Sequence, residues 1–496
     1  MPRFIIAIAL AIALTPAASA PAIAQDAAER PIVSKEDPRP IVRVNLQPAA
    51  VPNPPLKYPL LPPYLEQTEG NAAHLYRRAL ANWESTWHAH KTLRRDIVRW
   101  WETPFADVPL DEARNALKNT RHILDEVDAA ARRERCEWGL SIRGNREIVA
   151  LLTPESLDAR SLARLLTLRA RLQALDGDFD GAVYSIQSGY ALARHVGEIP
   201  LLVSSLSAMS VAGLIAKPVE EMREMPGSPN LFWSLAALPR PLIDSRRAVE
   251  VEMVLLHQMF PAFREARTAS RADDEWQVVF ESEMERYRKM LGMMVFEKRP
   301  AESDGALGPL GDKAALGLLA MNAYPAAKLR LIERGRAADD VERMPVARVL
   351  MIDIADTWDE AVQQDAKWYH VPPAEAPAND PRRRWKKIDP DRDFAFVTSI
   401  VPAMQAVRGA QDRLDRQIAL MQLIEAVRHY AAIHEGRLPA QLGDIEELPL
   451  PDDPITGKPF EYRLEGDSAV IDVRDPTSDG YGVHVQGARY VLTIAK

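Results

Sequence analysis

Histidines, cysteines and clustered acids are the residues able to act as bases, nucleophiles or metal ligands, and in this chain of 496 residues they are scattered. His88 and His90 flank Ala89 in a tryptophan-rich stretch with Trp83, Trp87, Trp100 and Trp101. On a helix, side chains two apart point about 200° away from each other, so one metal ion does not readily take both imidazoles. The stretch reads instead as a packed helix surface. Glu425 and His429 stand one helical turn apart, with His434 close behind. That spacing is typical of a surface pair worth a few tenths of a kcal/mol, and no HExxH motif or histidine-rich tract turns it into a catalytic site.

Cys136, the one cysteine, sits among Arg132, Arg133 and Arg135. Neighbouring cations favour the thiolate, yet no histidine is near in sequence to serve as its base. The expectation is a small apolar side chain buried beside Trp138. Arg382-Arg-Arg-Trp-Lys-Lys387 has the ingredients of a polyanion contact, basic residues around an aromatic. Asp380, Asp389, Asp391 and Asp393 cancel much of its field, which makes it a solvated linker. Asp475 and Asp479 offer two acidic ligands in a turn where calcium takes six to eight oxygens. No glycine-rich phosphate loop, GxSxG elbow or paired-carboxylate motif occurs. No residue is therefore assigned a catalytic, cofactor-binding or metal-ligating role.

The elements that would position these residues begin with an export signal. Met1-Pro2-Arg3 is basic, Phe4 to Leu14 is apolar throughout, and Ala22-Ile23-Ala24 forms a small-x-small cleavage site before Gln25. The apolar run is shorter than the roughly 20 residues a membrane-spanning helix needs, and no later segment is expected to replace it. The signal contains no cysteine for a lipid anchor. The mature protein is expected in the periplasm or outside the cell, with cleavage after Ala24. A net charge of −8 has the wrong sign for general nucleic-acid binding. A single cysteine excludes an intrachain disulfide framework and multi-cysteine zinc or iron–sulfur sites. A 47% hydrophobic content supplies the core instead.

Length alone would allow about three domains at roughly 150 residues each. Patterning reduces this to two folded units. Residues 25–63 hold ten prolines between Pro31 and Pro63 and read as an extended arm with no helix or sheet. Residues 64–370 have helical periodicity, with segments at 65–101, 111–135, 155–175, 180–195, 199–216, 230–237, 240–265, 273–296, 313–334 and 344–368, broken where prolines and glycines cluster. No strands are expected among them. A proline-rich linker covers 371–390. A long helix at about 391–435, with Pro402 as a kink point, precedes a change of period to two. Strands at 461–465 and 468–473 flank a Gly466-Asp467 hairpin turn, and 482–486 and 489–494 follow. The predicted fold class is mainly α: a helical hairpin array or bundle with a small C-terminal helix plus antiparallel β module.

Three resemblances accompany this reading. In 165–194, Ala170, Gly177, Phe179, Ala182, Ile186 and Gly189 fall at the spacing of a tetratricopeptide repeat, and Ala72, Tyr76, Ala79 and Leu80 resemble a second helix of one. The stretches Ala130-Ala-Arg-Arg-Glu-Arg-Cys-Glu-Trp-Gly-Leu140, Ala191-Leu-Ala-Arg-His-Val-Gly-Glu198 and Leu238-Pro-Arg-Pro-Leu-Ile-Asp-Ser-Arg-Arg-Ala-Val-Glu250 resemble a family of secreted, uncharacterised bacterial proteins abundant in planctomycetes. That resemblance implies export and helical architecture and carries no catalytic residue. Gly436-Arg-Leu-Pro-Ala-Gln-Leu442 and Asp453-Pro-Ile-Thr-Gly-Lys-Pro-Phe-Glu-Tyr462 are similar to the globular part of type II secretion pseudopilins. This implies a helix leading into a small sheet, and a calcium site near Asp475 in some relatives. The pilin leader and its assembly helix are replaced here by an ordinary signal, so filament assembly does not carry over.

The functional expectation is a non-enzymatic exported scaffold that presents a groove to a protein or peptide partner in the cell envelope. The alternatives are an envelope hydrolase with a dispersed active site and a structural component of an envelope assembly.

Overall fold

The computed structural model describes residues 39–90, 92–141, 154–295, 308–376, 395–474 and 487–495. The export signal, the basic run 382–387, the acidic turn 475–482 and the strand expected at 482–486 lie outside them. Among the described residues the chain is mainly helical, with fifteen helices and six strands. The mainly α class with a small β module is thus the observed one.

After β1 (Ile41–Leu46) and a single 3-10 turn at Tyr64–Glu66 come β2 (Thr68–Asn71), α1 (Ala73–Ala89), α2 (Leu93–Glu102), α3 (Leu110–Asn119), α4 (Arg121–Ala131) and β3 (Arg133–Arg135). The centre of the body is α5 (Pro154–Leu175), α6 (Phe179–Gly197) and α7 (Leu202–Met222). Then follow α8 (Phe232–Ala236), α9 (Arg246–Met259), α10 (Pro261–Glu265), α11 (Asp273–Val295), α12 (Gly308–Glu333), α13 (Ala338–Arg343) and α14 (Val346–Ala366). The long α15 (Ala395–Ile433) leads to the hairpin β4 (Glu461–Glu465) and β5 (Ser468–Asp472), and β6 (Arg489–Ile494) closes the chain. The helix α15 spans position 402 without interruption.

The α5–α6 hairpin turns at Gly177, whose φ of +77° suits a residue without a Cβ. Asp178 then caps α6 by accepting from the Gly181 amide at 2.9 Å. Gly189 on α6 lets α7 approach: a Cβ there would lie 2.2 Å from Ile215 Cδ1. Contrary to the expectation of no further long apolar segment, α7 is long and apolar enough to cross a membrane, with 78% of its most apolar window buried inside the protein. It packs on α5, α6 and α15 as a core helix, and it runs on through Pro218, past the end expected at 216, because Val219 and Met222 still face the core.

Further expectations are corrected. The stretch 111–135 is two helices and the strand β3, the helices parted at Thr120, whose buried hydroxyl donates to the Ala116 carbonyl at 2.9 Å, and the stretch 65–101 holds β2, α1 and α2 rather than one helix. The body does contain strands: β2 and β3 form a short parallel pair, with Thr68 opposite Arg133 and Asn71 opposite Arg135. They are too short to show a period of two. The arm, expected to lack sheet, contributes β1, which pairs in parallel with β6 from Ile41–Arg489 to Leu46–Ile494. Between Pro40 and Pro48 the sequence Ile-Val-Arg-Val-Asn-Leu alternates, and Val42, Val44 and Leu46 are buried while Arg43 and Asn45 face out. The C-terminal sheet is therefore mixed, in the order β1-β6-β5-β4. Its core joins these arm residues to Leu423, Ile424 and Val427 of α15 and to Phe232 of α8.

Candidate functional site

The histidine pair does not converge. His88 and His90 are both exposed; His88 Nδ1 lies 2.7 Å from the Glu84 carbonyl, and its ring stacks on Trp87 at 3.9 Å. Among the described residues no group of three or more histidines, cysteines or acids is arranged to hold a metal ion. The pair Glu425 and His429 is not the surface pair the spacing suggested. Glu425 is buried, accepting two bonds from Arg428 Nη1 at 2.8 Å and one from the Leu231 amide at 2.9 Å. Arg428 in turn donates to the carbonyls of Gln47 and Ser228 and to Ser228 Oγ. His429 Nδ1 accepts from the Val51 amide at 3.1 Å, and burial lowers its pKa. His434 stacks on Tyr430 at 3.8 Å. The cluster clamps the arm and the 228–231 loop to α15.

Cys136 is buried beside Trp138, as expected. Trp138 donates its Nε1 to the His195 carbonyl of α6 at 2.8 Å, and His195 Nδ1 meets the Tyr76 hydroxyl at 2.9 Å. Burial pushes the Cys136 thiol far up, Glu198 adds to this, and Arg77 opposes it weakly. Burial also depresses His195 to about 4. A thiol held neutral by burial is packing, not an activated nucleophile, and the neutral His195 imidazole is bonded to Tyr76. The flanking arginines act elsewhere. Arg133 Nη1 donates to the Glu69 carbonyl at 2.5 Å, and Arg132 to Ser188 and Gln187.

Arg132 leads to a site the sequence reading missed. The 3-10 turn that ends the arm presents Tyr64 and Leu65 to solvent, 78% and 93% exposed. The turn is firmly held. Glu66 and Gln67 amides donate back to the Pro63 and Tyr64 carbonyls, Gln67 Nε2 donates to the Pro62 carbonyl at 3.2 Å, and the Thr68 amide donates to the Arg132 carbonyl at 2.8 Å. Arg132 also lies 3.7 Å from Glu66 and places its guanidinium 3.7 Å from the centre of the Tyr184 ring on α6. Upstream, Gln187 Nε2 of α6 donates to the Pro59 carbonyl at 2.8 Å, so the arm runs along α6 and ends in an apolar ledge above it.

Under the ledge, α4, α5 and α6 share one polar network. Asp128 accepts both arms of the Arg169 fork at 2.8 Å and the Ser188 hydroxyl at 2.6 Å. Arg132 Nη1 donates to Ser188 Oγ at 3.1 Å. The guanidinium over Tyr184 is thus fixed from below and holds the ledge from above. Chemically the arrangement offers two large exposed apolar side chains on an ordered base, flanked by Arg132, Glu66 and Tyr184. The only hint in the sequence is Tyr64-Leu65 itself, an apolar pair after Pro62-Pro63 where a polar turn is the norm. Compared with known proteins, no family model matches the chain, and no curated protein and no solved structure matches it.

Proposed function

We propose that the protein is an exported helical scaffold that binds a protein partner of the cell envelope, and that the Tyr64–Leu65 ledge is its contact. The observation that supports this is a leucine 93% exposed on a turn tied down by the Glu66, Gln67 and Thr68 amides. An exposed apolar pair on ordered backbone loses little conformational entropy on binding, which favours its use as an anchor. Aromatic anchors of this kind carry much of an interface's energy. The complementary surface is an apolar pocket with a polar rim able to meet Arg132 and Glu66.

Export itself rests on the basic start, the apolar run and the small-x-small site of the first 24 residues. The reading competes with a hydrolase of dispersed active site and with a structural role in an envelope assembly, the latter carried by the pseudopilin-like tail. The test is photo-crosslinking from position 65 in the native envelope. A discrete adduct is expected, and it should vanish when Tyr64→Ala is combined with a crosslinker at 65. Equal crosslinking from position 65 and from an exposed polar site such as Glu112 would sink the proposal.

A further inference from the structure

A second feature lies where α2 packs against α5. Helix α5 carries four arginines, and two of them are fully matched. Arg169 is bidentate to Asp128. Arg171 meets Glu221 at 2.7 Å and the carbonyls of Trp100 and Thr103 at 2.7 and 2.9 Å. The other two, Arg160 and Arg164, stand four apart and so share one face of the helix. Both are half-buried, and Arg164 Nε is buried with no hydrogen-bond partner among the described residues.

From the facing helix Arg94 adds a third guanidinium. Burial, then Arg160, then Arg94 lower the pKa of Arg164. Arg94 is exposed and lies 5.5 Å from the ring centre of Trp87. Among the described residues two acids act on the group: Glu102, exposed, on Arg164, and Asp158 on Arg160. Asp96, on the same helix as Arg94, is shared by Arg95 and Arg99 at 3.8 and 3.4 Å. Three like charges from two helices, one with an unmatched buried donor, is a costly arrangement for a fold to keep empty of anions.

We propose that Arg94, Arg160 and Arg164 form a binding site for a phosphate-type dianion. Guanidinium forks match phosphate oxygens two at a time and remain charged at any physiological pH. A dianion offsets the crowding of the three guanidiniums and reaches the site from the exposed Arg94 side. The same phosphoryl chemistry is found in free phosphate and in the headgroup of a phosphomonoester lipid.

The test uses the full mature protein. Thermal melting is followed in inorganic phosphate and in chloride at matched ionic strength, and sedimentation with phosphatidylcholine vesicles is compared with and without phosphatidic acid. Phosphate is expected to raise the melting temperature where chloride does not. Arg94→Gln, at an exposed site, should leave melting in chloride unchanged and weaken phosphate binding about tenfold. Arg164→Gln should melt higher in chloride, having lost an unmatched buried cation, and weaken binding by about tenfold or more. Binding of free phosphate without vesicles assigns the solution anion. Sedimentation that needs phosphatidic acid and is lost in Arg94→Gln assigns the headgroup. If phosphate acts no differently from chloride and vesicles do not sediment the protein, or if both variants bind as the wild type does, there is no such site.

Discussion

The two ends of α5 use the same residue type to opposite effect. Towards its C-terminus, Arg169 and Arg171 are buried ties whose every direction is answered: Asp128, Glu221 and two carbonyls at the end of α2. Towards its N-terminus, Arg160 and Arg164 crowd Arg94, and a buried donor has no partner among the described residues. The lesson extends to carboxylates. Glu425 and Glu252 are both buried, at 2% and 7% exposure. Glu425 has Arg428 and a backbone amide, whereas Glu252 feels nothing but burial, which pushes it up to about 7. Buried charge in this protein holds elements together where it is matched, and responds to its surroundings where it is not.

Breaking a matched tie should give the largest effect. Asp128→Ala strands Arg169 and takes an acceptor from Ser188, and α4, α5 and α6 meet at that point. Removing one member of a buried pair typically costs about 3–5 kcal/mol. Urea unfolding followed by circular dichroism should show a loss in this range. A loss of under about 1 kcal/mol would mean that the network is dispensable and that the contrast between the two ends of α5 is not energetic.

The unmatched class should behave in the reverse sense. Glu252 has a folded pKa of about 7 against an ordinary value of 4.5. Below the ordinary value both folded and unfolded chains hold the proton, and folding is not penalised. As pH rises from about 4.5 towards 7 the unfolded chain releases its proton first, so stability falls, and above about 7 the loss is complete. A shift of this size corresponds to on the order of 3 kcal/mol. Asp415, pushed by burial to about 7 despite accepting from the Leu242 amide, acts in the same direction. Glu252→Gln should therefore be more stable than the wild type at pH 8 and nearly equal to it at pH 4. Equal stability at both values would show that the carboxylate finds a partner in solution.

How much of this was legible depends on whether the signal is local. The segments at 155–175 and 273–296 match α5 and α11 closely, because helical period and flanking proline or acid are written within each stretch. The β4–β5 hairpin was readable from alternation around Gly466, whose φ is +62°. The β1 strand was not, since ten prolines over the arm masked six alternating residues whose partner, β6, lies some 450 positions away in the chain. The same distance effect hid Tyr76 from His195 and Arg94 from Arg164. Exposure was less legible still. Tyr64 and Leu65 look in sequence like any apolar pair entering a core, and only the turn at Pro62-Pro63 directs them outward.

The ledge supplies the smallest expected effect on stability and the sharpest contrast with the interior. Tyr64 and Leu65 bury little against the fold, so the double change Tyr64→Ala with Leu65→Ala should shift unfolding by no more than about 0.5 kcal/mol. If the pair anchors a partner, the same change should weaken capture by at least tenfold, since truncating a buried anchor in an interface commonly costs about 2 kcal/mol or more. Arg132→Gln separates the two roles. It removes the cation over Tyr184 and the ion pair to Glu66 while leaving Tyr64 and Leu65 in place. Capture that survives Arg132→Gln but not the double change would identify the apolar pair itself as the contact. Loss of capture in both would show that the partner requires Arg132 as well, as a direct contact or through its ordering of the ledge.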